Sequence, residues 1–182
     1  MSASIILLCE DQRTDQFVRR FLKHRNFRTH DIHTVPLPAK GSGEQWVREQ
    51  YPEELQWVRR KKQTVLLVVT DADMNTTANR RSRLDRQCDT EEVRKRQPRD
   101  LVIIAIPRRN IETWLWHLKT GEVVNEVHDY KPRFRKLNTA GLHELADSLY
   151  RMCDREQSLL PTAPPSLKEA CLEYATLTRF LR

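Results

Sequence analysis

The chain is poor in glycine and cysteine, with four of each in 182 residues. None of the cysteines (Cys9, Cys88, Cys153, Cys171) forms a C-x-x-C pair, so neither a zinc site nor a dithiol redox motif is supported. A chain of this length buries a core without cross-links, and the wide cysteine spacing reads as free thiols in a reducing cytoplasm. No apolar stretch approaches the roughly 18 to 20 residues that cross a bilayer, which argues against membrane insertion. The apolar run after Ser4 has no basic segment before it and no small-residue cleavage site behind it, so it reads as a strand and not as a signal peptide. Also missing are the G-x-x-x-x-G-K-[ST] loop of P-loop nucleotide binding and the G-x-S-x-G elbow of serine hydrolases. Lys40-Gly41-Ser42-Gly43 reads as a plain turn.

What is abundant is positive charge. Lys and Arg number 32 against 25 Asp and Glu, a formal balance of +7. The excess gathers in three stretches: Arg80, Arg81, Arg83 and Arg86; Arg94-Lys95-Arg96 with Arg99; and Lys131, Arg133, Arg135 and Lys136 around Phe134. Basic residues interleaved with aromatics suit phosphate contact and base stacking, so nucleic acid is the expected partner.

The apolar pattern predicts an α/β fold. Ile5–Cys9, Val65–Val69 and Leu101–Ile106 are short, continuously apolar runs, the signature of strands covered on both faces. A weaker strand over 31–37 is closed by Pro36 and Pro38, which place it at an edge. Phe17, Val18, Phe21 and Leu22 recur at helical spacing. Residues 44–60 read as a helix broken near Pro52, residues 75–96 as a polar helix or a loop leading into one, and the segment from Asn110 as a helix capped by that residue. The alternation implies a mainly parallel four-stranded sheet with helices on both faces. Two further helices, near 139–153 and 166–180, form a C-terminal helical extension. Residues 1–120 are thus expected as the α/β domain, with 121–182 packed on it.

The acids sit at informative places. Glu10 follows the first strand, and Asp71 and Asp73 follow the third. In a 2-1-3-4 strand order these carboxylates meet at the switch point, where open parallel sheets bind ligands. An extended D-x-D puts both Asp side chains on one side. Three such carboxylates repel one another, and a hard divalent cation, Mg²⁺ or Mn²⁺, relieves the repulsion. Glu112 either completes that set or serves its helix N-terminus. Trp114 is expected in the core, Trp116 at a helix or subunit contact, and His117 as structural or as an outer phosphate contact.

IILLCED around Glu10 and VLLVVTDAD around Asp71 and Asp73 resemble the two motifs of the Toprim domain, the Rossmann-like fold of topoisomerases, bacterial primases, ribosomal RNA maturases and OLD-family nucleases. The likeness runs over about residues 4–118. It is nearest to stand-alone Toprim-like proteins of bacterial phage-defence loci, which often carry a segment like Ile111-Glu112-Thr113-Trp114-Leu115. The resemblance implies a Mg²⁺-dependent nuclease in which Glu10 is the general acid or base, while Asp71 and Asp73, with Glu112, hold the metal. The basic stretches give Arg80, Arg81, Arg83, Arg133, Arg135 and Lys136 as the expected nucleic-acid contacts. The resemblance also implies a cytoplasmic location and, as a further partner, an ATPase or other defence-complex subunit, and it allows an oligomer. No glycine follows Glu10 closely, and Met74-Asn75-Thr76 stands where a further acid is common. These departures motivate the alternative of a non-catalytic or partner-activated nucleic-acid-binding subunit. A receiver-like phosphate-handling domain fits less well, because Ile106 is followed by Pro107-Arg108 and no lysine.

Overall fold

The computed structural model describes residues 3–155 and 161–178, so Phe180 and the end of the last expected helix lie outside the described residues. Strands β1 (Ser4–Cys9), β2 (Ile32–Thr34), β3 (Thr64–Val69) and β4 (Val102–Ala105) form one all-parallel sheet in the order β2-β1-β3-β4. The three continuously apolar runs are β1, β3 and β4. The proline-limited segment gives the short edge strand β2, because a ring nitrogen cannot donate to a ladder.

Alternation along each strand divides the core into two layers. Ile5, Leu7, Cys9, Val65, Leu67, Val69, Ile103 and Ala105 pack against helices α1 (Gln12–His24), α4 (Ile111–Thr120), α5 (Thr139–Tyr150) and α6 (Pro165–Thr178). Ile6, Leu8, Leu66, Val68, Val102 and Ile104 pack against α2 (Gly43–Arg59) and α3 (Thr77–Thr90). The strands are apolar on both faces because both faces are covered. Val124, Tyr130, Phe134, Leu142, Leu145, Leu167 and Tyr174 belong to the first layer, so the segment after 120 shares the core of the α/β unit. Among the described residues no helix is long and apolar enough to cross a membrane.

Four local expectations are corrected. Pro52 does not break α2: it lies buried inside an uninterrupted helix, where packing offsets the lost i→i−4 hydrogen bond. Asn110 stands at the N-cap position of α4 without capping it. Its side chain instead donates from Nδ2 to Asp129 Oδ1 at 3.0 Å. The D-x-D after β3 does not stay extended, because Asp73 adopts a left-handed φ of 54°. Finally, two of the four thiols are not free: Cys153 and Cys171 are joined by a disulfide with their Cα atoms 5.8 Å apart, while Cys9 and Cys88 are free and buried. The bond links the turn after α5, Arg151–Arg155, to α6, a pairing that a separation of 18 residues in sequence does not announce.

One polar clamp joins the helices of the first layer. Arg20 on α1 donates twice to Asp147 on α5, Nε to Oδ1 at 2.7 Å and a terminal nitrogen to Oδ2 at 2.9 Å, and His24 Nε2 meets the same Oδ1 at 2.6 Å. The Arg20 hydrogen bonds, assisted by His24, hold the Asp147 carboxyl down at about 2. A depressed folded-state pKa gives stability that is full above the ordinary carboxylate range and is lost as pH falls through about 2. Asp147→Asn is therefore expected to cost about 1 kcal/mol at neutral pH after solvent screening. The penalty should vanish as pH falls below that range, read from urea unfolding of both forms across acid pH.

Candidate active site and basic rim

Sheet order determines the site. Going outward from the centre, the chain leaves β1 toward β2 on one side and reaches β3 on the other, so the switch point lies between the carboxyl ends of β1 and β3. Glu10 and Asp71 stand on either side of it. Glu10 Oε1 accepts from Thr70 Oγ1 at 2.6 Å and from the Asp71 backbone N–H at 2.7 Å. Both bonds fall on one oxygen, which fixes the carboxylate across the crevice and leaves Oε2 to act.

Burial lifts Glu10 above the usual carboxylate range. Its bonds from Thr70 and Asp71 oppose the lift, nearby Asp73 adds to it and Arg80 offsets it. Asp71 is raised well above its ordinary value, first by desolvation, then by the charges of Glu10 and Glu112, with Lys131 working the other way. Two acids with raised pKa values side by side in a crevice form a constellation typical of functional sites.

Glu112 enters from the first turn of α4 and is only 3% exposed. Arg13 on α1 donates to its Oε1 at 2.5 Å, while Oε2 is buried without a hydrogen-bond partner. The macrodipole of α4 favours an acid here, but burial beside Asp71 goes further than an exposed helix-start acid requires. Arg13 also donates to the Phe134 carbonyl at 3.3 Å, which ties the 3-10 turn Lys131–Phe134 to the crevice.

Asp73 goes elsewhere. With its left-handed backbone it bonds Arg109 through main-chain N–H to carbonyl, and its carboxylate accepts from Arg80 at 2.7 Å. Arg80 is 1% exposed and also pairs with Glu44 in the first turn of α2. The expectation of Arg80 as a phosphate contact is corrected: it is an internal counter-ion on the α2/α3 face of the sheet. Arg81 is also engaged, donating to Glu173 on α6 at 3.2 Å and to the Ile104 carbonyl at 3.5 Å, so it joins α3 to α6 instead of facing a ligand. Arg83 is half-buried, whereas Arg133, Arg135 and Lys136 are exposed. The two basic runs therefore differ: Arg80 and Arg81 after the D-x-D are engaged within the fold, and the run after Tyr130 is open.

Several residues of the site escaped sequence reading. Thr70 and Arg13 are single polar residues at element ends, and only the spatial pairing reveals them. Gly43 did carry a signal, since it is one of four glycines. A Cβ there would lie 2.7 Å from Glu10 Cβ and 2.9 Å from the Glu10 carbonyl oxygen. Glycine thus lets the start of α2 close on the Glu10 backbone. Gly43→Ala is expected to cost roughly 1–3 kcal/mol, as overpacking does, and to displace Glu10. Thermal unfolding reads the first effect. A fall in any Glu10-dependent activity larger than the stability loss explains reads the second.

Trp114 is buried and donates from Nε1 to Ser166 Oγ at 2.7 Å. His117 is fully buried with Nδ1 donating to the Glu122 carbonyl at 2.8 Å, a structural role. Trp116 lies partly open beside Tyr130, Phe134 and Arg133.

The donor chemistry at the crevice is that of a hard divalent cation. Glu10, Asp71 and Glu112 offer only carboxylate oxygen, Glu112 Oε2 is buried and unpartnered, and the raised pKa of Asp71 records burial first and then the charges of Glu10 and Glu112, which a cation would offset. Among the described residues no group of three or more acidic, histidine or cysteine side chains stands arranged to hold a metal ion. Comparison of the chain with family models, with curated proteins and with solved structures found no match.

Proposed function

We propose that the protein is a Mg²⁺- or Mn²⁺-dependent nuclease of the Toprim type, acting on phosphodiester bonds of DNA or RNA, with a role in bacterial phage defence suggested by the motif resemblance. The observation that carries the reading is the Glu10–Asp71 pair at the switch point, spanned by the hydrogen bonds from Thr70 and the Asp71 N–H. Asp71 and Glu112 would hold the cation with Glu10 beside it. When bound, it would polarise the phosphate and stabilise developing charge. The chain itself supplies the rest. Thr70 and the Asp71 N–H hold Glu10 Oε1, so that Oε2 faces the crevice as a proton acceptor or donor. The raised pKa of Glu10 brings proton exchange closer to neutral pH. Arg13 orients Glu112, and Lys131, whose charge acts on Asp71, offers a cation to the flanking phosphates.

A second reading has its own observation. The Arg80 bond engages Asp73, the second acid of the D-x-D, in an internal ion pair. That arrangement favours a nucleic-acid-binding subunit activated by a partner such as an ATPase. Incubation of the purified chain with DNA and with RNA, in Mg²⁺, in Mn²⁺ and in chelator, separates the two. Metal-dependent cleavage supports the nuclease. Nucleic-acid binding without cleavage in any metal supports the partner-activated subunit.

A further inference from the structure

We infer that the substrate is single-stranded and that Trp116 and Arg133 stack one of its bases beside the catalytic crevice, an inference resting on the proposed nucleic-acid reading of the site. The guanidinium carbon of Arg133 lies 4.2 Å from the centroid of the Trp116 ring, at cation–π distance. The Tyr130 ring lies 6.0 Å from Trp116 and nearly parallel, at 13°, while Phe134 meets it edge-on at 6.3 Å. Tyr130 and Phe134 are buried, so the platform is fixed by the core, whereas Arg133 itself is exposed. A planar, solvent-facing guanidinium held over an indole offers a flat cationic surface on which an unpaired base stacks.

Charge around the platform matches a phosphate chain. Lys119, Lys131, Arg133, Arg135 and Lys136 are all exposed. Among the described residues none of the five pairs with a carboxylate, whereas Arg13, Arg19, Arg20, Arg59, Arg80, Arg81 and Arg96 all do. The platform is therefore ringed by cations without a carboxylate partner among the described residues, as Arg86 and Arg99 also are elsewhere on the surface. Continuity with the crevice comes from Arg13, which binds Glu112 with one nitrogen and the Phe134 carbonyl with another, and from Lys131, whose charge acts on Asp71. A strand stacked at Arg133 thus has its backbone led toward Glu10 and Asp71. A duplex keeps its bases inward and cannot use the platform.

Fluorescence anisotropy in chelator tests this with a labelled oligothymidylate, an oligouridylate and a duplex of equal length. The wild-type chain is expected to favour at least one single strand over duplex by about tenfold, and Trp116→Leu to lose about that factor, the scale of one base–aromatic stack. Arg133→Lys, an exposed substitution that leaves the fold alone, keeps the charge and removes the plane. It is expected to weaken single-strand binding severalfold at an unchanged salt slope, whereas the Arg135→Ala/Lys136→Ala double variant reduces the slope. Equal affinity for duplex, or wild-type affinity in both Arg133→Lys and a folded Trp116→Leu, overturns the inference. Because metal is absent, binding is read apart from catalysis. Cleavage without single-strand preference sinks this inference and leaves the nuclease standing. Stacking without cleavage does the reverse.

Discussion

Replacing Glu10 with glutamine is expected to lower metal-dependent cleavage about 10²- to 10⁴-fold, the usual worth of a positioned acid or base, with the fold at least as stable as wild type. The stability half follows from geometry. Gln keeps a carbonyl oxygen for the Thr70 hydroxyl and the Asp71 N–H, the two donors now on Oε1. It also removes a charge that burial disfavours. Because the folded-state pKa of Glu10 is raised, the folded chain holds more protons than the unfolded chain between the ordinary and the raised value. Stability is therefore lost as pH rises through that window, and the Gln variant escapes the loss. Relief of Asp71 acts in the same direction, since Glu10 is the largest charge raising it. Unfolding curves at acid and at neutral pH should show the variant gaining on wild type as pH rises. Single-turnover cleavage measures the activity half. Undiminished cleavage would remove Glu10 from the chemistry, and a large loss of stability at neutral pH would remove the electrostatic account of the crevice.

The parts of the fold legible in sequence were those fixed by periodicity. β1, β3 and β4 show as apolar runs because a parallel sheet is dry on both faces, and the edge position of β2 shows through Pro36 and Pro38. Glu10 and Asp71 show because strand ends in such a sheet have a fixed relation to the switch point. Side-chain partnership across the sheet has no such rule. Arg80 and Arg133 look alike in sequence, as members of arginine-rich runs. The difference arises because α3 buries Arg80, where Glu44 pairs with it, while the turn at Lys131–Phe134 buries only Phe134 and leaves its cations outside. Local backbone geometry is equally silent. A D-x-D reads as extended, but the main-chain bonds of Ala72 to Pro107 and Asp73 to Arg109 bend it into a left-handed residue at Asp73, whose carboxylate bonds Arg80.

Arg80→Ala is expected to be among the most destabilising single changes in the chain, at about 3 kcal/mol, the lower part of the range for breaking a buried pair. That corresponds to a melting temperature lower by roughly 6–12 °C for a domain of this size. The value sits low in the range because the two carboxylates are not equally trapped. The Asp73 side chain is 53% exposed and can turn to water, whereas that of Glu44 is 13% exposed and, among the described residues, keeps only Arg48, at 3.4 Å, as a remaining cation. Most of the cost is therefore the Glu44 charge left in the α2/α3 layer. An Arg80→Met/Glu44→Gln double variant fills the space and removes that charge, so it should recover most of the loss. It also frees Asp73 without altering Glu10, Asp71 or Glu112. If the Arg80 bond is what keeps Asp73 from the metal site, the refolded double variant should bind Mn²⁺ severalfold more tightly than wild type in calorimetric titration. An unchanged affinity would instead make Arg80 a purely structural counter-ion and would take away the physical basis for a latched, partner-activated centre.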